Sequence, residues 1–373
     1  MKPEGDIRKY DYLDACRGYA ILLVMIAHSY QAFPNLPWHV MRLTNLGFKG
    51  VQLFFVVSSL TLAMSWRRRS RIDERPFAAF MVRRFFRIAP AFVVAFFFYL
   101  VVFPPGARFN WTEALTTLTF TNGWSPATMA TVPGAWQAID GSWSVAVEFG
   151  FYLLFPLFAL GLTTLGRALG AFAALLALAY VLDGLGFGFY SARYGAAAAD
   201  QFIFYWLPNQ LPVFCLGFVA LFLPERLGKR DLGRTGTVLC ALLVCAFAAL
   251  SYIPFQRTPQ LTPPFLPLHV VAALFFCAFV TVLGLSPGNP FTNRPMIALG
   301  KVSFSAYLLH WTFIALGAHL FDVGASGLEA IGAATALAAL VIVLTYIAAS
   351  LTYRRLEQPM IAVGHRLAEK TNG

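Results

Sequence analysis

Apolar residues in this chain do not alternate with polar ones; they run together. Ten stretches are long and apolar enough to cross a bilayer, roughly 12–33, 47–66, 88–104, 142–163, 166–187, 203–223, 235–254, 267–286, 297–318 and 328–353. Each approaches or exceeds the ~20 residues that a helix needs to span a ~30 Å hydrocarbon core. No water reaches the backbone there, and a helix satisfies its own N–H and C=O groups. The pattern predicts an all-α polytopic membrane protein with about ten transmembrane helices. The stretch 111–126, WTEALTTLTFTNGWSP, is short, threonine-rich and ends at a proline. It reads as a re-entrant or surface segment.

Charge then orients the chain, because cytoplasmic loops are enriched in lysine and arginine. With the N-terminus inside, 22 of the 28 Lys and Arg residues fall on the inner side, among them the eight arginines from Arg67 to Arg87 and the group Arg226, Lys229, Arg230 and Arg234. Lys2, Arg8 and Lys9 precede the first span on the same side. The outer side keeps Arg42, Lys49, Arg108, Arg193 and Arg257. Both termini are thus expected in the cytoplasm. Counting 111–126 as a span would invert everything after it. The net charge of +11 follows the membrane, so nucleic acid is not an expected partner. The opening MKPEGDIRKY has no small-residue cleavage site, and the first apolar run reads as a retained helix. The expectation is one membrane domain over 1–373, with a basic cytoplasmic tail at 354–373. The outer segment 105–141, rich in Thr, Gly, Pro and Trp, is placed to cover a site. The five cysteines lie in or beside apolar runs without metal-ligand spacing, and no metal is expected.

Two ionisable residues interrupt the first apolar run. Arg17 and His28 are eleven residues apart, so on a helix they point within ~20° of each other and lie ~16 Å apart along the axis. Such groups at membrane depth need a partner, a pocket or water. In the expected topology His28 lies in the outer third of its helix, Glu148 enters from outside by about two turns, and His310 occupies the outer part of an outgoing helix. A histidine with a carboxylate to orient it is what general-base activation of a hydroxyl requires. Structural hydrogen bonding remains open for all three. On the inner side, WRRRSRIDERPFAAFMVRRFFRIAP reads first as a topology anchor with affinity for anionic lipid. Arg84 and Arg87 are less bland. They share a face where the third helix begins, and the planar guanidinium suits phosphate. No Gly-rich phosphate loop, Walker pattern or dinucleotide fingerprint accompanies them.

These residues lie in blocks that resemble, in order, the acyltransferase 3 family of integral membrane acyltransferases. LDACRGYAILLVMIAH resembles its opening signature of Arg, ten residues, then His. GFKGVQLFFVVSSL resembles its second helix, and Arg84-Phe-Phe-Arg87 its Arg-x-x-Arg motif. SWSVAVEFGFYLLFP resembles its Ser-Leu-x-x-Glu-x-x-Phe-Tyr block, and GKVSFSAYLLHWTF its Ser-x-x-x-Tyr-Leu-x-His block. The resemblance implies a ten-helix domain in the bacterial inner membrane. Such a domain moves an acyl group, commonly acetyl from acetyl-CoA, onto extracytoplasmic glycans or other hydroxyl acceptors. It implies His28 as the catalytic histidine, Glu148 as its support, and Arg17, Arg84 and Arg87 on the acyl-CoA side. Ser144, Tyr307 and His310 fall in the same blocks as supporting residues. Two positions depart from the family pattern. Gln52 stands for the acid of Gly-Val-Asp-Leu-Phe-Phe, and Ser58-Ser59-Leu60 for Ser-Gly-Phe, which bears on helix packing or acceptor choice. The fused hydrolase-like domain of many members is not expected.

The reading is an acyl-CoA-dependent O-acyltransferase. Donor phosphates would dock on Arg84 and Arg87, with Arg17 deeper on the path. His28 would deprotonate an acceptor hydroxyl from the outer side, and Glu148 would orient or charge the imidazole. Trp111, Trp124 and Trp136 are the expected acceptor contacts, with an interfacial aromatic belt as the alternative. The rival class is a secondary transporter or flippase for a glycan or lipid-linked precursor, which should show paired broken helices in its two halves.

Overall fold

The computed structural model describes residues 10–129, 132, 136–228, 230–253 and 266–370, and every regular element among them is helical. In chain order the α-helices are α1 (Asp11–Gln31), α2 (Trp38–Asn45), α3 (Gly50–Arg69), α4 (Pro76–Val102), α5 (Trp111–Leu118), α6 (Ser142–Gly161), α7 (Leu165–Tyr194) and α8 (Ala196–Tyr205). They continue with α9 (Leu207–Arg226), α10 (Gly233–Ala249), α11 (Leu268–Gly284), α12 (Arg294–Lys301), α13 (Ser303–Ala318), α14 (Gly327–Thr352) and α15 (Gln358–Lys370). Lys2, Arg8, Lys9, Lys229, Arg257 and part of the outer segment 105–141 lie outside the described residues.

Seven described helical stretches are long and apolar enough to cross a membrane, or eight if α12 and α13, bent by 84°, count as one span. The shortfall from ten falls on three expected spans, each with its own cause. Helix α1 has the length, at 21 residues, but Asp11, Asp14, Arg17 and His28 dilute its apolar character. Helix α11 has only 17 residues, ~26 Å of rise. The third is the α12–α13 pair, interrupted at Val302. Helix α4 starts at Pro76, well before the expected start of that span near residue 88. Proline suits the first helical turn and arginine is a good helix former, so the helix nucleates in the basic segment. Arg84 and Arg87 therefore sit about two to three turns inside α4, not at its mouth. The basic tail is helical as well. A π-type turn over Tyr353–Glu357 joins α14 to α15, which packs along α4.

The chain forms two compact units. One comprises Met1–Thr61, Gly217–Pro254 and Val271–Leu351. Its buried axis is α1, where Ala15, Cys16, Ala20, Ile21, Met25 and Ala27 have no exposure. Helix α12 crosses α1 backbone to backbone. A Cβ on Gly18 would strike the Met296 carbonyl, and one on Gly300 would strike that of Asp14, so only small residues permit the crossing. Asn293 caps α12 by accepting from the Met296 N–H (3.1 Å). Tyr19 fixes the approach, donating to the Phe291 carbonyl (3.0 Å) and accepting from Asn293 Nδ2 (3.2 Å). Ser59, at the family's glycine position, is fully buried and faces Gly217 of α9, where a Cβ would lie 2.7 Å from that of Ser59. The added side chain on α3 is thus met by an absent one on α9. Gln52 is also buried.

The other unit comprises Leu62–Leu216, Phe255–Val270 and Thr352–Gly373. Aromatic contacts organise it. Phe80 of α4 stacks on Phe155 of α6 (4.8 Å), Trp66 meets both rings edge-on, and Phe151 stacks on Phe214 of α9 (4.0 Å). The segment 111–126 begins with α5, capped by Asn110, whose Oδ1 accepts from the Thr112 N–H (2.8 Å). At ~12 Å, α5 is too short to cross a bilayer. Phe120 pins it down, lying flat on Phe149 (3.9 Å) with φ +59°, a conformation that a bulky residue adopts only when its contacts hold it there.

Candidate active site

The shared face of Arg17 and His28 is present, and both meet the chain around α3. Arg17 Nη2 donates to Thr61 Oγ1 (2.9 Å) and Nη1 pairs with Asp14 Oδ1 (2.9 Å). His28, at the other end of α1, lies 4.9 Å from the ring of Phe48, in the short 3₁₀ turn Leu46–Lys49 that leads into α3.

Helix α13 supplies the other wall around His28. The Trp311 ring centroid is 4.2 Å from that of His28, and the His310 centroid is 5.4 Å away. His310 is fully buried, and its Nδ1–H donates to the Tyr307 carbonyl (2.7 Å). A carbonyl only accepts, so this bond assigns the proton to Nδ1 and leaves a lone pair on Nε2. That Nε2 is buried and without a hydrogen-bond partner among the described residues, and so is the Trp311 indole N–H. His28 Nδ1 lies 3.2 Å from Gln31 Oε1, which assigns its proton likewise and makes Nε2 the basic nitrogen. Buried polar atoms without partners are costly and uncommon in folded proteins. Two of them lie beside the imidazole of His28.

Sequence reasoning selected His28, Tyr307 and His310, and the structure unites them. It missed Gln31 and Trp311. Gln31 lies one turn past His28, a spacing that is readable as a side-chain pair. Trp311 carried no such signal, because its value lies in what its N–H does not touch.

Arg84, Arg87 and Glu148 belong to the second unit. Tyr152 donates to Glu148 Oε1 (2.7 Å) one turn along α6. Arg84 and Arg87 lie within electrostatic reach of Tyr152, and Arg84 also of Glu148. The Arg84 guanidinium is 5.9 Å from the Phe80 ring centroid, and its Nε is buried with no hydrogen-bond partner among the described residues. Its neighbour Arg83 is committed instead. Arg83 pairs with Asp73 at 2.7 Å, and the two side chains are 7% and 6% exposed. Ser144 lies in the first turn of α6, where its Oγ donates to the Gly141 carbonyl (3.0 Å). Among the described residues, no group of three or more His, Cys, Asp or Glu is arranged to hold a metal ion.

Acyltransferase MdmB of Streptomyces mycarofaciens is 27% identical over 95% of this chain and 92% of its own length. The putative peptidoglycan O-acetyltransferase YrhL of Bacillus subtilis and the peptidoglycan O-acetyltransferase OatA of Listeria monocytogenes are each 24% identical over 95% of the chain. The chain spans just over half the length of these two, 55% and 56%. No solved structure matches it. The sequence profile of the acyltransferase domain family (Acyl_transf_3) runs over residues 10–353 and so takes in α1, α4, α6 and α13 with every side chain described above. This chain belongs to that family, acyltransferase 3, and is a membrane-embedded enzyme that transfers acyl groups.

Proposed function

We propose that this enzyme takes an acetyl group from acetyl-CoA at the cytoplasmic face of the bacterial inner membrane and transfers it to a hydroxyl of an extracytoplasmic glycan. The observation that carries the reading is the cluster of His28, His310 and Trp311, a base beside a buried indole N–H that has no partner among the described residues. The peptidoglycan O-acetyltransferases among its relatives support acetyl as the group and a glycan as the acceptor. The inner bias of 22 of the 28 Lys and Arg residues supports cytoplasmic termini and an outward His28.

In this reaction His28 Nε2 takes the proton of the acceptor hydroxyl as the oxygen attacks the thioester carbonyl carbon. A C–O bond forms, and charge gathers on the former carbonyl oxygen, for which the Trp311 N–H is the donor. The C–S bond then breaks, and the proton on His28 passes to the leaving thiolate of CoA. His310 Nε2, with its lone pair set by Tyr307, accepts from the incoming acceptor and positions it. Arg84 and Arg87 hold the phosphates of the donor. The buried Nε of Arg84 fits an anion, since a guanidinium gives its strongest hydrogen bonds to phosphate oxygens. Arg17 lies on the path of the acyl-pantetheine arm. Glu148 is the supporting carboxylate, and the transfer rate of Glu148→Gln tests its part.

The test uses purified protein, radiolabelled acetyl-CoA and a peptidoglycan fragment. Wild type passes label to the glycan or to water. His28→Ala lowers the rate by ~10²-fold or more, as loss of a general base does, and Arg84→Ala raises the KM for acetyl-CoA by ~10-fold. Label trapped on the protein separates an acyl-enzyme from direct transfer. Wild type that consumes neither acetyl-CoA nor another acyl donor overturns the proposal, and uptake of a glycan precursor into vesicles then tests the transporter.

A further inference from the structure

Helix α7 is peripheral, with only 17% of its apolar window buried, against 72% for the stretch Trp38–Arg69. Yet Asp183, within that membrane-length helix, is 3% exposed. An intramembrane carboxylate carries a cost that function usually explains. Asp183 Oδ1 accepts from Trp206 Nε1 (2.9 Å), while Oδ2 is buried with no partner among the described residues. Trp206 sits at the break between α8 and α9, against Gly186, where a Cβ would lie 2.7 Å from the indole.

The break satisfies its own backbone. Asn209 Nδ2 donates to the Ile203 carbonyl (3.2 Å) and Gln210 Nε2 to that of Phe204 (2.7 Å). Asp183 is therefore not there to repair it. Trp206, the partner of Asp183, is one of several partly buried rings, with Trp143, Tyr190 and Tyr205, that pack on Phe202, Ile203 and, from the outer segment, Met129. Trp143 and Tyr205 lie against each other, with centroids 4.4 Å apart and planes tilted by 32°. An interfacial belt would turn its indole N–H groups to water, but that of Trp206 turns inward to a carboxylate. Trp143 and Asp183 each lie 18 residues from the ends of α6 and α7 that meet at the connecting turn. Both are therefore ~27 Å from that turn, at one level and ~8 Å beyond Glu148.

We infer that Asp183, Trp206, Trp143 and Tyr205 form the acceptor subsite, binding a sugar ring of the glycan. Aromatic faces pack on the C–H faces of the sugar, and Asp183 Oδ2 accepts from its hydroxyls. This inference rests on the orientation and glycan acceptor proposed above. The probe is a tetrasaccharide of alternating N-acetylglucosamine and N-acetylmuramic acid, titrated calorimetrically into the full chain in nanodiscs without donor. The titration is repeated as a KM measurement with acetyl-CoA present. Asp183→Asn keeps the oxygen that accepts from Trp206. It is expected to weaken binding and raise the KM for the tetrasaccharide by at least ~10-fold, with kcat at saturating glycan and Tm little changed. Tyr205→Ala, which leaves the Asp183–Trp206 bond alone, should weaken binding similarly and decides the matter if Asp183→Asn does not fold. Unchanged affinity in a folded Asp183→Asn overturns the subsite, as does wild type that binds no tetrasaccharide. If wild type binds the tetrasaccharide but consumes no acyl donor, the transfer reaction falls and the sugar site stands.

Discussion

Replacing Trp311 by phenylalanine deletes one hydrogen-bond donor and keeps an aromatic ring beside both histidines. The indole centroid lies 4.2 Å from His28 and 5.5 Å from His310, and its N–H is buried without a partner among the described residues. No existing bond is broken, so the cost to stability is confined to the smaller ring, ~1 kcal/mol. Losing one oxyanion donor, by contrast, removes ~10²–10³ from kcat, or ~2.7–4 kcal/mol of transition-state stabilisation. The KM for acetyl-CoA should move less than ~3-fold, because the proposed donor grip lies with Arg84 and Arg87 and not with Trp311. Steady-state transfer from labelled acetyl-CoA in nanodiscs, with thermal unfolding in parallel, reads both effects. A Trp311→Phe enzyme whose kcat stays within ~3-fold of wild type would refute the oxyanion assignment. A fall in kcat that merely follows a fall in Tm would reduce Trp311 to a packing residue.

Arg83 and Arg84 are adjacent in sequence and should fail differently. Arg83→Ala breaks a buried ion pair with Asp73, at up to ~3–5 kcal/mol, and lowers Tm; Arg84→Ala breaks no ion pair among the described residues and should change donor affinity with Tm within a few degrees. Unfolding and acetyl-CoA titration on the two variants separate these roles, and the reverse pattern would place the donor site on Arg83. Gly300→Ala drives a methyl group into the Asp14 carbonyl, so loss of folded protein in detergent is expected, with a penalty above the ~1–3 kcal/mol of ordinary overpacking. A folded Gly300→Ala protein with unchanged Tm would mean that α12 does not press on α1 as described.

Much of this was legible from local spacing. Eleven residues on a helix give one direction, and Arg17 and His28 share a face for that reason alone. The arginines at 84 and 87 were legible as a pair, but not which basic neighbour was already neutralised, because that depends on Asp73 folding back onto α4. The start of α4 was hidden by hydropathy, which marks where a helix is apolar and not where it is nucleated. The α12–α13 bend was hidden too. Its α12 arm is held across α1 by Asn293, Tyr19 and two glycines on different helices, and no window of sequence contains them together. Glu148 was legible as an intramembrane acid, and the i,i+4 spacing to Tyr152 is the spacing that their hydrogen bond uses.

What separates structural from functional residues here is the state of their partners, which residue type does not reveal. Two indoles make the point. Trp206 donates to a buried carboxylate and in doing so leaves the second oxygen of that carboxylate exposed to need. Trp311 donates to nothing described and lies against the base. The same contrast divides Arg83, closed in an ion pair, from Arg84, whose Nε is buried with no partner among the described residues. An enzyme must keep such bonds unmade, since a donor already satisfied by the fold has little left for a transition state. In the proposed reaction, the bonds of Trp311, His310, Arg84 and Asp183 that the described residues leave unmade would serve the oxyanion, acceptor hydroxyl, phosphate and sugar. That correspondence makes the four positions separable, because each substitution should disturb one kinetic quantity more than the others.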